Sequence, residues 1–156
     1  MAANIENIIK YRFADRKLLK EATLAAGASV SRTDIAGDVN GNKSLALIGD
    51  ALIRLDVAHR SYIEGVGPGQ STLVLSAAGA NDSLAALGAR LGLDQSVTKN
   101  PCQGGEVPRV TFASTVEALI GAAWIDSGHQ FDQVQSVLRA LQLTEPFESG
   151  GTDRFP

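Results

Sequence analysis

The sequence predicts an all-α domain, and three observations support this. Apolar residues recur at three- and four-residue steps, as in Leu45, Ile48, Leu52 and Leu55, which is the period of a helix with one buried face. No stretch shows the strict apolar–polar alternation typical of a strand. Aromatic residues form 5% of the chain against 44% hydrophobic, so the core is made mainly of Leu, Ala, Ile and Val, which favours packed helices.

The first third of the chain predicts two short helices and a loop. Asn4 is a candidate cap for the first helix, whose isoleucines share one face. Asp15 is a candidate N-cap for the second helix, which is rich in leucine and alanine. Residues 27–41 are rich in Gly, Ser, Thr, Asp and Asn without an apolar period, so they are predicted to form a loop.

A long central helix and four further helices follow. Asn42 opens the central helix, which is predicted to end near Tyr62. Residues 65–70 are predicted to form a sharp turn, and they lack the Gly-Lys-Ser/Thr ending of a phosphate-binding loop. An irregular loop is expected over residues 98–111. The remaining helices are predicted at 71–79, from 81 to Gly92, at 112–127 and at 131–142.

Length, charge and cysteine content restrict the class of protein. The 156 residues fit one domain, predicted over 1–145, with a flexible tail over 146–156. The formal net charge is −3 and the 14 basic residues are scattered, which argues against strong nucleic-acid binding by charge alone. No apolar run approaches a membrane span and no secretory signal is evident, so an intracellular location without membrane contact is expected. The single cysteine, Cys102, excludes an intramolecular disulfide and a cysteine-based zinc site.

Two stretches, 42–51 and 113–122, each place one carboxylate in a helix of apolar and small residues. The carboxylates are Asp50 and Glu117. If the two helices pack together, their small residues permit close approach and the two acids converge on one pocket. Two carboxylates and water are enough to hold Mg²⁺, which keeps much of its hydration shell. The alternative is that each acid caps a loop or pairs with Arg or Lys.

These stretches resemble the two signature helices of the ribonuclease III family. That family's first signature resembles Asn-Glu-Arg-Leu-Glu-Phe-Leu-Gly-Asp-Ala, and its second resembles Ala-Asp-Xaa-Xaa-Glu-Ala-Leu-Ile-Gly-Ala followed by an aromatic residue, an apolar residue and Asp-Ser-Gly. The similarity extends over about residues 5 to 143. The matching positions in the two signatures are Asn42, Leu45, Gly49, Asp50, Ala51, Ala113, residues 117–122 and residues 124–128.

The resemblance implies a helical endonuclease-domain fold that uses two divalent metal ions, Mg²⁺ or Mn²⁺, to hydrolyse double-stranded RNA. The family's four catalytic acids fall on Ala46, Asp50, Ser114 and Glu117, so two of the four are retained. A further acid of the family falls on Lys43. A two-ion centre needs several bridging and terminal carboxylates, so weak or lost hydrolysis is expected here. Asp50 and Glu117 remain the candidate catalytic and metal-binding residues.

The resemblance also implies a symmetric homodimer, since Leu47 takes the place of a phenylalanine thought to enter the partner subunit. Residues 42–47 resemble single-domain fungal members of the family. No double-stranded-RNA-binding domain is expected after the helical domain, so RNA would be held by the domain itself, with Lys43, Lys99 and Arg109 as candidate contacts or ordinary surface charges. Two hypotheses stay open: an RNA-binding, weakly active ribonuclease, or a non-catalytic module such as those of the mitochondrial ribosomal large subunit.

Overall fold

The computed structural model describes residues 2–144, with side chains from residue 4 onward. The predicted C-terminal tail, 146–156, therefore lies outside the described residues. Apart from one isolated β-bridge between Leu24 and Thr98, the regular structure of the described part is helical, which confirms the predicted all-α class. The α-helices are α1 Ala2–Ile9, α2 Arg16–Ala22, α3 Ala28–Ser31, α4 Lys43–Ile63, α5 Pro68–Ala78, α6 Asn81–Arg90, α7 Arg109–Asp126 and α8 Phe131–Ala140.

Helices α4 and α7 form the most extensive contact in the domain. A Cβ atom on Gly49 of α4 would overlap the backbone of Glu117, and one on Gly121 of α7 would overlap the backbone of Leu45. Glycine at these two crossings lets the backbones touch, which fixes the register of the helices that carry Asp50 and Glu117.

Helix α7 is the centre of the core. Two buried runs, 113–116 and 118–123, leave little of its surface to solvent, and α2, α4, α6 and α8 all pack against it. A helix that is apolar or small nearly all round is expected in this position. The largest fully buried side chains of the domain are Ile5, Ile9, Ile53, Leu84, Leu93, Leu119, Ile120, Leu138 and Leu141.

The C-terminal end of α7 holds the segment that links α1 to α2. Asp126 accepts hydrogen bonds from the Tyr11 hydroxyl at 2.8 Å and from the backbone N–H groups of Ala14 and Asp15 at 3.0 and 2.8 Å. Desolvation opposes the charge of Asp126, but the hydrogen bonds outweigh it and lower the pKa of the carboxyl. Asp126, which matches the Asp of the second signature, therefore has a structural contact here.

Several predicted boundaries are wrong. The first helix begins at Ala2, so Asn4 lies within it and does not cap it. A single helical turn, α3, interrupts the predicted loop over 27–41. Helices α5 and α7 each begin three residues earlier than predicted, because Pro68 suits the first turn of α5 and Pro108 takes the N-cap position of α7. The Asp15 cap is confirmed: its side chain accepts from the Lys17 backbone N–H at 2.9 Å.

Two residues of the central helix differ from the pattern that predicted it. Leu55 is 52% exposed, although it continues the apolar spacing, and Asp56 is buried beside it. The Asp56 carboxylate is compensated by Arg60, whose Nε lies 2.9 Å from Oδ2. Among the described residues, no helix has both the length and the apolar character needed to cross a bilayer.

Candidate active site

Asp50 and Glu117 lie on the touching faces of α4 and α7. Gly49 contacts the backbone of Glu117, so Asp50 is one residue from the crossing point of the two helices. Asp50 is about one-third exposed and Glu117 is half-buried. The two acids lie close enough to interact, as the sequence predicted, because burial and then the charge of Asp50 raise the pKa of Glu117.

Glu117 is the most perturbed carboxyl at the site. Burial and, to a lesser extent, the negative charge of Asp50 raise its pKa from 4.5 to about 7, while the cations Lys43 and Arg54 act in the opposite direction. At neutral pH Glu117 is therefore close to half protonated. A carboxyl in this state can exchange a proton near physiological pH, and a cation that binds it must displace that proton.

Arg54 forms an ion pair with Asp50 one helical turn away. Its Nε lies 3.3 Å from each carboxylate oxygen of Asp50. The end of α5 lies against this pair, because a Cβ atom on Gly79 would be 3.7 Å from Asp50 Oδ1 and 3.6 Å from an Arg54 terminal nitrogen. Sequence analysis missed Arg54, although its i,i+4 spacing from Asp50 could have indicated the pair.

The two positions where the resemblance placed further acids hold no carboxylate. Ala46 is 5% exposed and Ser114 is 6% exposed, so both face the interior between the helices. The Lys43 ammonium donates a hydrogen bond to the Ser114 hydroxyl at 2.8 Å. Two cations therefore contact residues of the site: Lys43 contacts Ser114 and Arg54 contacts Asp50.

This donor set does not fit a two-ion centre. Within residues 4–144 no group of three or more His, Cys, Asp or Glu side chains is arranged to hold a metal ion. Two ions about 3.5–4 Å apart require several carboxylates to offset their mutual repulsion. Two carboxylates, one of them paired with Arg54, are compatible with a single hydrated Mg²⁺ at most, since Mg²⁺ is often bound through one or two carboxylates and its own waters.

The other residues named from the sequence lie in different settings. The Arg109 guanidinium is 3.6 Å from Asp82, so its charge is partly compensated. Lys99 lines a small cavity formed by the loop before α7. Leu47 is 74% exposed on α4. Asn42 does not cap α4 with its side chain; its amide donates to the carbonyl of Ala22 at 2.9 Å and so joins α4 to the end of α2.

We expect Glu117→Gln to stabilise the protein above neutral pH and to have little effect at pH 5. The folded pKa of Glu117 lies above its ordinary value, so its contribution to stability is present below pH 4.5 and is lost as the pH rises through about 7. A fully buried group with this shift would change the free energy of unfolding by roughly 3 kcal/mol; discounted for partial exposure, we expect about 1–2 kcal/mol at pH 8. Urea denaturation at pH 5 and pH 8 measures this, with exposed Glu21→Gln as the control.

Comparison with known proteins identifies the family of this helical domain. Residues 43–128, more than half of the chain, match the model of the ribonuclease III domain. The chain is 31% identical to ribonuclease 3 from Syntrophotalea carbinolica over 90% of this chain and 61% of that protein. It is 28% identical to ribonuclease 3 from Idiomarina loihiensis over 97% of this chain and 65% of that protein. The chain thus spans about three fifths of the length of these curated relatives.

The fold agrees with this comparison. The nuclease domain of ribonuclease III from Campylobacter jejuni superposes with a TM-score of 0.74, at 21% identity, over 91% of this chain and 96% of that one. In that nuclease domain, the region involved in dimer formation is structurally flexible. A second structure of the same nuclease domain gives a TM-score of 0.72. The chain belongs to the ribonuclease III domain family.

Proposed function

We propose that this chain is a ribonuclease III domain that binds double-stranded RNA and hydrolyses it weakly or not at all. The observation that carries the proposal is the charge of the site between α4 and α7. Two carboxylates, Asp50 and Glu117, face two cations, and the remaining acid positions are Ala46 and Ser114. Membership of the ribonuclease III domain family supports duplex RNA as the ligand. The absence of acids at Ala46 and Ser114 greatly reduces the negative charge that could hold metal ions.

Any metal ion at this site is a single Mg²⁺ or Mn²⁺ held by Asp50 and Glu117. When bound, the ion supplies charge stabilisation to a phosphodiester and acidifies a bound water. Asp50 must give up part of its pairing with Arg54, and Glu117 must lose its proton, before both can serve as ligands. Both requirements weaken binding, and the second makes metal affinity fall as the pH drops below about 7.

We further propose that the domain forms a symmetric homodimer through the exposed face of α4. Leu47, Ala51, Leu55, Ala58 and Tyr62 are all exposed and follow one another at steps of three or four residues, so they form one stripe along the helix. The three larger side chains are 74%, 52% and 84% exposed. An apolar stripe of this length on a surface helix is typical of an interface, and one face used twice gives a two-fold dimer.

The test of the proposed function is incubation of the protein with long duplex RNA in Mg²⁺, in Mn²⁺ and in chelator. We expect RNA to be bound in all three conditions, and any cleavage to be slow, metal-dependent and abolished in Asp50→Asn. Asp82→Asn, at an exposed acid on α6, serves as the matched control and should leave any cleavage unchanged. Failure to bind duplex RNA under all conditions would contradict the proposal.

The second candidate is a non-catalytic module that contributes structure to an RNA–protein assembly such as a ribosomal subunit. The contact between Lys43 and Ser114 favours it, because a cation stands where the family places acids. The same assay separates the two candidates. For the structural module, no cleavage is detected in either metal and Asp50→Asn changes neither cleavage nor binding.

A further inference from the structure

A cavity of about 190 Å³ lies beside the acid pair, between the starts of α4 and α7 and the loop that precedes α7. Its volume is several times the roughly 30 Å³ that one water occupies in the liquid, so it has room for a tetrahedral oxyanion. No acidic residue belongs to the lining within the described part of the chain. Its polar lining residues are Asn42, Lys43, Gln103, Thr111 and Ser114.

Lys43 and Ser114 can both donate hydrogen bonds into this cavity. The Lys43 ammonium has three hydrogens, and its contact with Ser114 Oγ uses one of them. Among the side chains of residues 4–144, no carboxylate lies within 4.0 Å of that ammonium, in contrast to the ion-paired Arg54. The Ser114 hydroxyl accepts from Lys43, and its own hydrogen is available in the same arrangement.

The charge around the cavity favours an anion over a cation. Lys43 contributes a positive charge at the lining, while Asp50 and Glu117 do not line the cavity. Asp50 is paired with Arg54. An incoming anion therefore meets one ammonium without a carboxylate within 4.0 Å, together with hydroxyl and amide donors, an arrangement that suits the oxygens of a phosphate.

We propose that this cavity binds one phosphate group, with Lys43 and Ser114 donating hydrogen bonds to its oxygens. The inference rests on the proposed function in one respect, namely that the phosphate belongs to the backbone of duplex RNA. It goes further in naming a contact that needs no metal ion. The domain then holds an RNA phosphate directly by a cation, at the edge of the site where metal ligands have been lost.

The first experiment measures the affinity for a duplex RNA in chelator over a range of salt concentrations. We expect Lys43→Gln to weaken binding at least fivefold and to reduce the slope of log K against log salt by about one, the effect of losing one phosphate contact. Lys43→Arg should keep most of the affinity. Lys43 is exposed, so these variants should fold, and thermal denaturation checks this.

Lys17→Gln is the matched control. Its neighbour Asp15 contacts Asp126 at the C-terminal end of α7, 12 residues or about 18 Å along the helix from Ser114. Lys17→Gln should change the affinity and the salt slope by less than Lys43→Gln does. Equal effects of the two substitutions would overturn the phosphate site.

The second experiment replaces RNA with inorganic phosphate and follows the backbone amide signals of α4 and α7 by NMR. We expect phosphate to shift the signals near Ser114 in the wild type but not in Lys43→Gln. RNA binding that is unaffected by Lys43→Gln, together with no phosphate shift, overturns the site and leaves the proposed function standing. A phosphate shift near Ser114 without any RNA binding supports the site and contradicts the proposed function.

Discussion

Substituting Gly49 by alanine is expected to destabilise the domain by at least about 3 kcal/mol and to lower Tm by about 10 °C. A Cβ atom at this position would lie 2.5 Å from the carbonyl carbon of Glu117 and overlap its oxygen. No side-chain rotation relieves that contact because both partners are backbone. Helices α4 and α7 would have to separate, which opens the core around them and moves Asp50 away from Glu117.

Gly69→Ala is the matched control for this prediction. Gly69 lies in the first turn of α5, and a Cβ atom there meets no atom within 4 Å. Alanine is the better helix former, so Gly69→Ala should leave stability unchanged or raise it by up to about 1 kcal/mol. An unchanged Tm in Gly49→Ala would show that the two helices do not touch at this point. Thermal denaturation of the wild type, Gly49→Ala and Gly69→Ala gives the three Tm values that test this prediction.

Restoring the missing acids is expected to increase Mg²⁺-dependent cleavage of duplex RNA at least 100-fold. The variant combines Ala46→Glu with Ser114→Asp, which gives four carboxylates in all, two on one face of each helix: position 46 is one turn from Asp50, and position 114 is one turn from Glu117. Four acids can offset the charge of two ions, so both metal affinity and transition-state stabilisation rise. Adding Lys43→Glu removes the cation that would otherwise pair with the new carboxylate at position 114.

Two further proteins control for this experiment. Gln133→Glu with Gln135→Glu adds the same negative charge on α8 and should not produce cleavage. Asp50→Asn in the restored background should remove the gained activity. If the restored variant folds, as judged by its circular dichroism and Tm, and still cleaves no faster than wild type, the loss of acids does not explain low activity.

Much of the fold could be predicted because local signals and core packing agree. The apolar period of α4 and the nearly uniform small and apolar character of α7 each indicated a buried helix, and these two helices organise the domain. The boundaries near Pro68 and Pro108 were less predictable, since a proline can either precede a helix or occupy its first turn. Asn42 opens α4 as predicted, but the use of its amide in a contact with Ala22, 20 residues away in sequence, was not predictable.

The candidate site was likewise predictable in part from the sequence. The sequence indicated that Asp50 and Glu117 approach each other, because small residues on both helices permit contact. It did not indicate that Lys43 reaches Ser114 on the other helix, because a contact between residues 71 positions apart depends on the register of the packed helices. The raised pKa of Glu117 was also not predictable from the sequence, since it arises from burial and from charges on a different helix, α4.

The most direct test of this account is the pKa of Glu117, measured by NMR titration of its side-chain carboxyl carbon in the wild type and in Asp50→Asn. If the two acids share one partly buried site, the pKa is about 7 in the wild type and falls in Asp50→Asn, where the repulsion from Asp50 is removed. A pKa close to the ordinary value of 4.5 in both proteins would contradict the shared site on which the proposed function depends.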